Sequence, residues 1–424
     1  MTARRSFIQG GFLSIAAILS VVLAVSVSAE SDLKRPSEIP LTPESAVEVA
    51  LNRSPALKAA RARARADQAN ARADGRPEDP KLVGDYKVGS GVGRTELAIT
   101  FDIWSLVGAG YKRRASGAAG ERADAALAEE ASALAADAKS AVYAVQAASA
   151  TLVLRRDHAQ AARAMADLAL GQRKAGNIPA LDLYQEQAAA ETAELDVDRA
   201  EAQLTAARAE LARLLRVPTD SGWWTEAVLP APPEADPDLA ALAALATARR
   251  PARRAALAAA RAAEQSAKAW SSTSAGALRL GAAAEREPDG TRLAGPAFEM
   301  DLPLFNSARP RLEAADARAD EAAAQADEVD AELTAELESL RAHLVSARKA
   351  ARRWGGVIVP ARAGITAETQ LRYNGMLAGA AQLLSVRQAE TDARRELIEA
   401  LRDYWTTRAA LERAVGGSLP EGKS

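Results

Sequence analysis

The sequence predicts a mainly α-helical chain with a small β part, organised as an internal duplication. Hydrophobic residues make up 48% of the 424 residues and aromatic residues only 4%, which is typical of helices that pack closely through small side chains. Helical runs far longer than a compact domain needs alternate with short segments of period-two hydrophobicity. The same order of segments recurs in the second half, where Gly375 lies 199 residues after Gly176.

The N-terminus has the features of an export signal. Arg4 and Arg5 precede an apolar run that ends at Val27-Ser28-Ala29, with small residues where signal peptidase cuts. A signal peptide is therefore predicted at 1–29. The same residues also fit an uncleaved membrane anchor, and the arginine pair also fits a twin-arginine signal.

The first predicted repeat covers residues 30–216. Thr42-Pro43-Glu44 has a capping residue, a proline and an acidic residue in the order of a helix start, so a helix is predicted to about Asp74. Alternation of apolar and polar residues then predicts a hairpin at 81–103. The elements expected after it are a helix over about 110–175, a tip turn at 176–179 and a helix over about 180–215.

The second predicted repeat covers residues 238–416, and the stretch 217–237, rich in proline, glycine and acidic residues, connects the two. Its expected elements are a helix over about 238–270, a hairpin at 277–305, a helix over about 308–373, a tip turn at 375–378, a helix to about 415, and a tail at 417–424. Gly355-Gly356 and Pro360 form a predicted weak point in the long helix.

Both hairpins present an apolar face and a polar face. The residues predicted on the polar face, and so as candidates to line an aqueous lumen, are Asp85, Lys87, Glu96, Asp102, Arg279, Glu285, Glu299 and Asp301. Strands of a soluble domain and of a transmembrane barrel share this alternation, so period alone leaves both open. Open sheet edges are not tolerated in lipid. Four strands cannot close, whereas three copies would supply twelve.

Composition gives no sign of catalysis, of a cofactor or of a metal site. The chain has no cysteine and two histidines, His158 and His343, and it lacks a nucleophile elbow, a phosphate loop and metal-ligand spacing. Lys and Arg number 54 against 56 Asp and Glu, which does not favour nucleic-acid binding. The chain is therefore not expected to be an enzyme.

Four short motifs, in this order, carry a resemblance to a known family. They are Leu97 to Ile103 leading into Gly110-Tyr111-Lys112-Arg113, then Lys174 to Asp182, then Phe298-Glu299-Met300-Asp301-Leu302-Pro303-Leu304-Phe305-Asn306, and then Arg372 to Leu377. Together they resemble the strand-to-helix segments and tip turns of the TolC-like outer membrane efflux protein family, over nearly the whole mature chain.

The resemblance implies a homotrimer in the outer membrane, with a 12-stranded β-barrel embedded in lipid and a periplasmic α-barrel of long coiled-coil helices. It further implies passive exit of substrate, driven by an inner-membrane pump through a periplasmic adaptor protein. The tip residues that would inherit adaptor docking are Gly176, Asn177, Ile178, Pro179, Gly375, Met376, Leu377 and Ala378. The second tip resembles members associated with heavy-metal export, so both metal cations and small organic compounds remain candidate substrates.

Two alternatives stay open at the level of the sequence. By the resemblance, Asp182 and Gln382 lie at the periplasmic entrance, and three copies of Asp182 could form a cation-attracting ring. Asp182 is equally explained as a solvated residue that complements its helix dipole. For the whole chain, the alternative function is a periplasmic coiled-coil scaffold or adaptor whose β segments form a soluble domain.

Overall fold

The structure, a computed structural model, describes residues 41–89, 92–218, 223, 225–226, 228–272, 278–287, 289–300 and 309–419. All of these except Trp223 belong to one compact unit. Its long helices and single four-stranded antiparallel sheet confirm the predicted fold class of the protomer. The predicted signal peptide, Asp301 and most of the predicted tail lie outside the described residues.

The first repeat contains α1 (Pro43–Arg53), α2 (Pro55–Asp74), β1 (Lys81–Gly89), β2 (Val92–Asp102), α3 (Ile103–Lys174) and α4 (Ala180–Leu215). Thr42 caps α1 in a capping box with Ser45, as its sequence predicts. The single helix predicted up to Asp74 is wrong, because Ser54 caps a new helix that opens with Pro55. At a rise of about 1.5 Å per residue, the 72 residues of α3 extend roughly 100 Å.

The second repeat contains α5 (Leu239–Arg249), α6 (Pro251–Ser272), β3 (Leu278–Arg286), β4 (Arg292–Met300), α7 (Arg309–Arg353), α8 (Val359–Asn374) and α9 (Ala380–Val415). Again the single helix predicted for 238–270 is wrong, because a break at Arg250 precedes the proline that opens α6. The predicted weak point is confirmed as a π-helical segment, Trp354–Ile358, between α7 and α8.

Two boundaries at the strand-to-helix junctions differ from the sequence prediction. Ile103 was predicted to end the first hairpin, but it begins α3 because the Asp102 side chain accepts hydrogen bonds from the backbone amides of Trp104 and Ser105, at 2.9 and 3.2 Å. The long helix therefore starts seven residues before Gly110. Of the second predicted hairpin, residue 277 and residues 301–305 lie outside the described part.

The two repeats match at an offset of 200 residues along their last helices. Ala180 and Ala380 open α4 and α9. The inward positions correspond in pairs: Leu183 to Leu383, Ala193 to Ala393, Ala200 to Ala400, Leu204 to Tyr404 and Leu211 to Leu411, and all ten residues are buried. Spacings of three and four between buried residues are typical of a coiled-coil seam.

Helix packing joins the two repeats along α3. Towards the sheet α3 packs against α2 and α6, and it also packs against α4 and α9. One buried cluster lies where α5, α7 and α9 meet, around Leu242, Leu337 and Tyr404. Leu229 of the connecting stretch is buried against Tyr143 and Ala147 of α3, and the Trp405 indole donates a 2.8 Å hydrogen bond to the Pro230 carbonyl. The core therefore ties the connecting stretch to both repeats.

The sheet has the order β1-β2-β3-β4, with every neighbouring pair antiparallel. Asp102 pairs with Arg279 where β2 of one repeat meets β3 of the other. The hairpin ends of both repeats lie at one end of the sheet, and the long helices leave from the opposite end. β1 and β4 remain as edges without a partner strand among the described residues.

Candidate functional site

Strand register divides the sheet into two chemically different faces. Asp85 pairs with Glu96, which pairs with Glu285, so three carboxylates form one row across β1, β2 and β3. Residues two apart along a strand share a face. This charged face carries all seven described residues that the sequence predicts for a lumen: Asp85, Lys87, Glu96, Asp102, Arg279, Glu285 and Glu299. Their role in lining a lumen remains a prediction.

Ion pairs balance much of the charge on this face. Lys87 Nζ lies 3.0 Å from Asp85, and Arg279 lies 2.9 Å from Glu299 across the β3–β4 pair. Arg94, which the sequence analysis did not select, is paired with Glu285. Like charges directly opposite each other destabilise a sheet, so these cations offset the repulsion within the carboxylate row.

The other face of the sheet is apolar and exposed. Leu82 pairs with Ile99, and Phe101 pairs with Leu280, which in turn pairs with Phe298. Leu82 is 73% exposed and Phe298 is 80% exposed. Soluble proteins rarely leave a contiguous apolar surface of this kind open to water, and such surfaces mark contact with lipid or with another protein.

Both tip turns use the same backbone device. The amides of Gly176 and Asn177 donate to the carbonyls of Arg173 and Gln172, at 3.0 and 2.9 Å. The crossed pattern of these two hydrogen bonds is a Schellman motif, which needs one residue in the left-handed region. Gly176, with φ +78°, is that residue in the first tip.

The second tip places a different residue at that position. The amides of Met376 and Leu377 donate to the carbonyls of Tyr373 and Arg372, at 3.0 and 2.8 Å, and Met376 has φ +59°. Gly375 ends its helix at φ −83°. Gly176 therefore corresponds to Met376, and matching the two glycines at an offset of 199 is wrong by one residue.

The outer surface of the second tip is strongly apolar. Met376 is 94% exposed and Leu377 is 81% exposed. In the first tip the most exposed apolar side chains follow the turn, at Leu181 and Tyr184, which are 63% and 65% exposed. The remaining predicted tip residues lie in the turns themselves: Asn177, Ile178 and Pro179 in the first, and Ala378 in the second.

Asp182 and Gln382 occupy equivalent exposed positions in the first turns of α4 and α9. The structure adds a second carboxyl that the sequence analysis missed, because Glu186 lies one helical turn after Asp182 and is only 4% exposed. Burial raises the pKa of Glu186, and the nearby Asp182 charge raises it further. The available signal was the spacing of Glu186 from Leu183 and Ala190, which places it in the seam; Val386 fills the equivalent place in α9.

Two features are absent from the described residues. Within that part of the chain, no three His, Cys, Asp or Glu side chains gather as a metal-binding group. None of its helices combines the length and the apolar character needed to cross a membrane.

Comparison with solved structures places the fold among outer-membrane channel proteins. The outer membrane protein VceC from Vibrio cholerae superposes with a TM-score of 0.74 at 18% identity, covering 89% of this chain and 96% of that one. The outer-membrane channel OprN gives 0.73 at 18% identity, over 93% and 97% of the two chains. CusC, whose structures concern transmembrane channel formation, gives 0.72 at 15% identity, over 93% and 96%.

The chain therefore has the fold of these channel proteins along almost its whole length. No protein-family model matches the chain. No curated protein matches it either.

Proposed function

We propose that this chain is one protomer of a trimeric outer-membrane channel that gives substrates a passive, water-filled exit. The observation that carries the proposal is the sheet, with a charged face opposite an exposed apolar face and long helices leaving from one end. Transmembrane barrels present apolar side chains to lipid and polar ones to a wet interior. The solved channels that share the fold support the same function.

The edges of the sheet favour pairing with further copies of the chain, and the number of three copies is what the resemblance to the TolC-like family implies. The unpaired edges of β1 and β4 would expose backbone amides and carbonyls inside a bilayer, where each unsatisfied group costs several kcal/mol. Pairing β4 of one protomer with β1 of the next removes every edge. Three protomers of four strands give a closed barrel of twelve, an even number as antiparallel closure requires.

The exposed sheet also separates this proposal from a soluble scaffold. A soluble β domain would cover its apolar face with another element. Among the described residues no element does so, since Leu82, Tyr86 and Phe298 are each at least 67% exposed. In a transmembrane barrel, the surrounding lipid covers this apolar face.

The tips are proposed to dock a periplasmic adaptor, which couples the channel to an inner-membrane pump. Met376 and Leu377 expose large apolar side chains at the end of the α8–α9 hairpin. A contact between proteins would bury them. Both tip turns end helical hairpins about as far from the sheet as the helices allow, where a partner spanning the periplasm would meet the channel.

Asp182 is proposed to line the periplasmic entrance. It is exposed and belongs to the first turn of α4, where three copies in a trimer would form a ring. Rings of carboxylates favour cations in other pores. Both metal cations and small organic cations fit such a ring, and the pump would make the choice between substrates.

The test is single-channel recording in planar bilayers, together with the mass of the purified protein in detergent. We expect a trimer whose openings favour cations, and Asp182→Asn should lower the cation-to-anion permeability ratio. Glu191→Gln is the matched control, because Glu191 is exposed nine residues along the same helix, on its opposite side. A protein that stays monomeric without detergent and never inserts would leave the soluble scaffold as the better explanation.

A further inference from the structure

The apolar face of the sheet carries two arginines at its hairpin end. Arg286 ends β3 and pairs directly with Arg292, which begins β4. Both side chains are exposed. By strand alternation they share a face with Leu280 and Phe298, and not with the charged residues on the other side.

These arginines differ from the cations on the charged face in having no acidic partner. Within the described residues, neither Arg286 nor Arg292 makes an ion pair or a side-chain hydrogen bond. By contrast Lys87 and Arg94, at the same end of the sheet, pair with Asp85 and Glu285. Two like charges directly opposite each other on a sheet repel. An anion that bridges the two guanidinium groups would turn this repulsion into attraction.

The distance of the two arginines from the helix end of the sheet indicates that such an anion would be a lipid headgroup. The Arg286–Arg292 pair lies eight residues from the Leu278–Met300 pair at the helix end of the sheet. At about 3.3 Å per residue this is roughly 26 Å of strand, or about 20 Å of height at a barrel tilt near 40°. The apolar band of outer-membrane barrels is about 25 Å tall. The flexible arginine side chains can extend from this height to the headgroups at the edge of the apolar band.

The same row carries further features of a membrane interface. Register continues from Arg286 to Thr95 and on to Tyr86, so this row crosses all four strands. Tyr86 is 67% exposed, and aromatic side chains with a polar tip concentrate at the level of lipid headgroups. The helices leave from the other end of the sheet, so this row would lie at the outer surface of the membrane.

We propose that Arg286 and Arg292 form a binding site for phosphate groups of lipid headgroups in the outer leaflet, one site per protomer. The inference rests on the proposed outer-membrane channel. A guanidinium group matches phosphate with two parallel N–H···O hydrogen bonds, and two guanidinium groups can share one phosphate or hold two neighbouring ones. Bound lipid neutralises the arginine pair and anchors the barrel at a fixed height.

The experiment is native mass spectrometry of the detergent-solubilised, full-length protein titrated with diphosphoryl lipid A. We expect up to three lipid molecules per trimer. The double variant Arg286→Gln/Arg292→Gln should raise the dissociation constant about tenfold, because it removes the charged hydrogen bonds to phosphate. Arg286→Lys/Arg292→Lys keeps the charge but loses the parallel hydrogen bonds of the guanidinium groups, so its dissociation constant should lie between those of the wild type and the glutamine variant, about threefold above the wild type.

Three controls make the outcome decisive. Lys87→Gln removes a positive charge at a similar height on the opposite face and should leave lipid binding unchanged. Equal loss in that variant, or equal binding of lipid A stripped of its phosphates, overturns the proposal. Inorganic phosphate that binds as tightly as lipid A overturns its assignment to a lipid.

Conductance recorded on the same preparations separates this proposal from the channel itself. If the wild type conducts but the glutamine double variant binds lipid A as tightly as the wild type does, the channel proposal stands and the lipid site is refuted. A wild-type protein that neither forms trimers nor conducts refutes both.

Discussion

Replacing Gly176 by alanine is expected to loosen the first tip turn, whereas the same change at Gly375 should leave the second turn intact. Gly176 has φ +78° with no atom within 4 Å of an added Cβ, so its cost is conformational only. An L-residue in the left-handed region costs about 1 kcal/mol relative to glycine. Gly375 has φ −83°, and its added Cβ would meet nothing closer than the Leu371 carbonyl oxygen at 3.5 Å.

The assay is amide hydrogen exchange of the detergent-solubilised protein, followed at the amides that close each turn. A loss of about 1 kcal/mol raises the population of the open turn roughly fivefold. Exchange at Asn177 should therefore quicken about fivefold in Gly176→Ala. Exchange at Leu377 should not change in Gly375→Ala. The converse variant, Met376→Gly, should slow exchange at Leu377 by a similar factor, because it relieves the φ of +59°.

Equal exchange in the two alanine variants, or faster exchange in Met376→Gly, would show that the left-handed backbone angle does not limit the stability of these turns. The same variants also separate folding from docking. If Gly375→Ala lowers substrate export while amide hydrogen exchange at Leu377 stays unchanged, Gly375 acts in adaptor contact. Export that falls only where exchange quickens would assign the tip glycines to the stability of the turns.

Two further predictions concern a buried glutamate of α4 and the glycine that follows the end of α9. The pKa of Glu186 is raised by burial and by Asp182. At low pH the Glu186 carboxyl is protonated in both the folded and the unfolded chain, so its burial carries no charge penalty. As pH rises from the ordinary glutamate range through the raised pKa, burial of the charged carboxylate lowers the stability of α4. Glu186→Gln should remove this pH dependence. It is measured by comparing amide hydrogen exchange in α4 between the wild type and the variant at each pH. Exchange rates that change in parallel with pH in the two proteins would contradict the prediction. Gly416 has φ +75° and an added Cβ would lie 2.7 Å from the Arg249 carbonyl oxygen. Gly416→Ala should therefore destabilise the protein in thermal denaturation by about 2 kcal/mol or more, whereas Gly417→Ala, which meets nothing within 4 Å, should stay within about 0.5 kcal/mol.

Local sequence signals predicted most helix ends because the residues at those ends make their own hydrogen bonds. Thr42 and Asp238 cap their helices through side chains that reach three residues along the chain. Asp102 shows the limit of such reasoning. Its place in an alternating strand suggested a residue of the polar face, and the structure adds a second role as the cap of α3.

Positions that depend on a partner in another segment were missed. The spacing of Glu186 fits the seam, but a glutamate is usually solvated, and only the packed helices show that its carboxyl is buried there. The register of Gly176 with Met376 required the backbone angles of both turns, since a methionine gives no sign that it adopts φ +59°. Arg286 and Arg292 could have been found by extending the alternation of the second hairpin beyond Ala284, but their direct opposition required the strand register.

The fold class, the duplication, the two hairpins and the turns between long helices were predictable from residue order, because period, capping residues and turn residues act over a few positions. Which charges face each other depends on the folded chain. It brought Asp85, Glu96 and Glu285 into one row, paired Arg94 with Glu285, and left Arg286 and Arg292 opposed on the apolar face. Those juxtapositions join strands up to about 200 residues apart, and contacts of such separation are set by register and packing, not by local propensity.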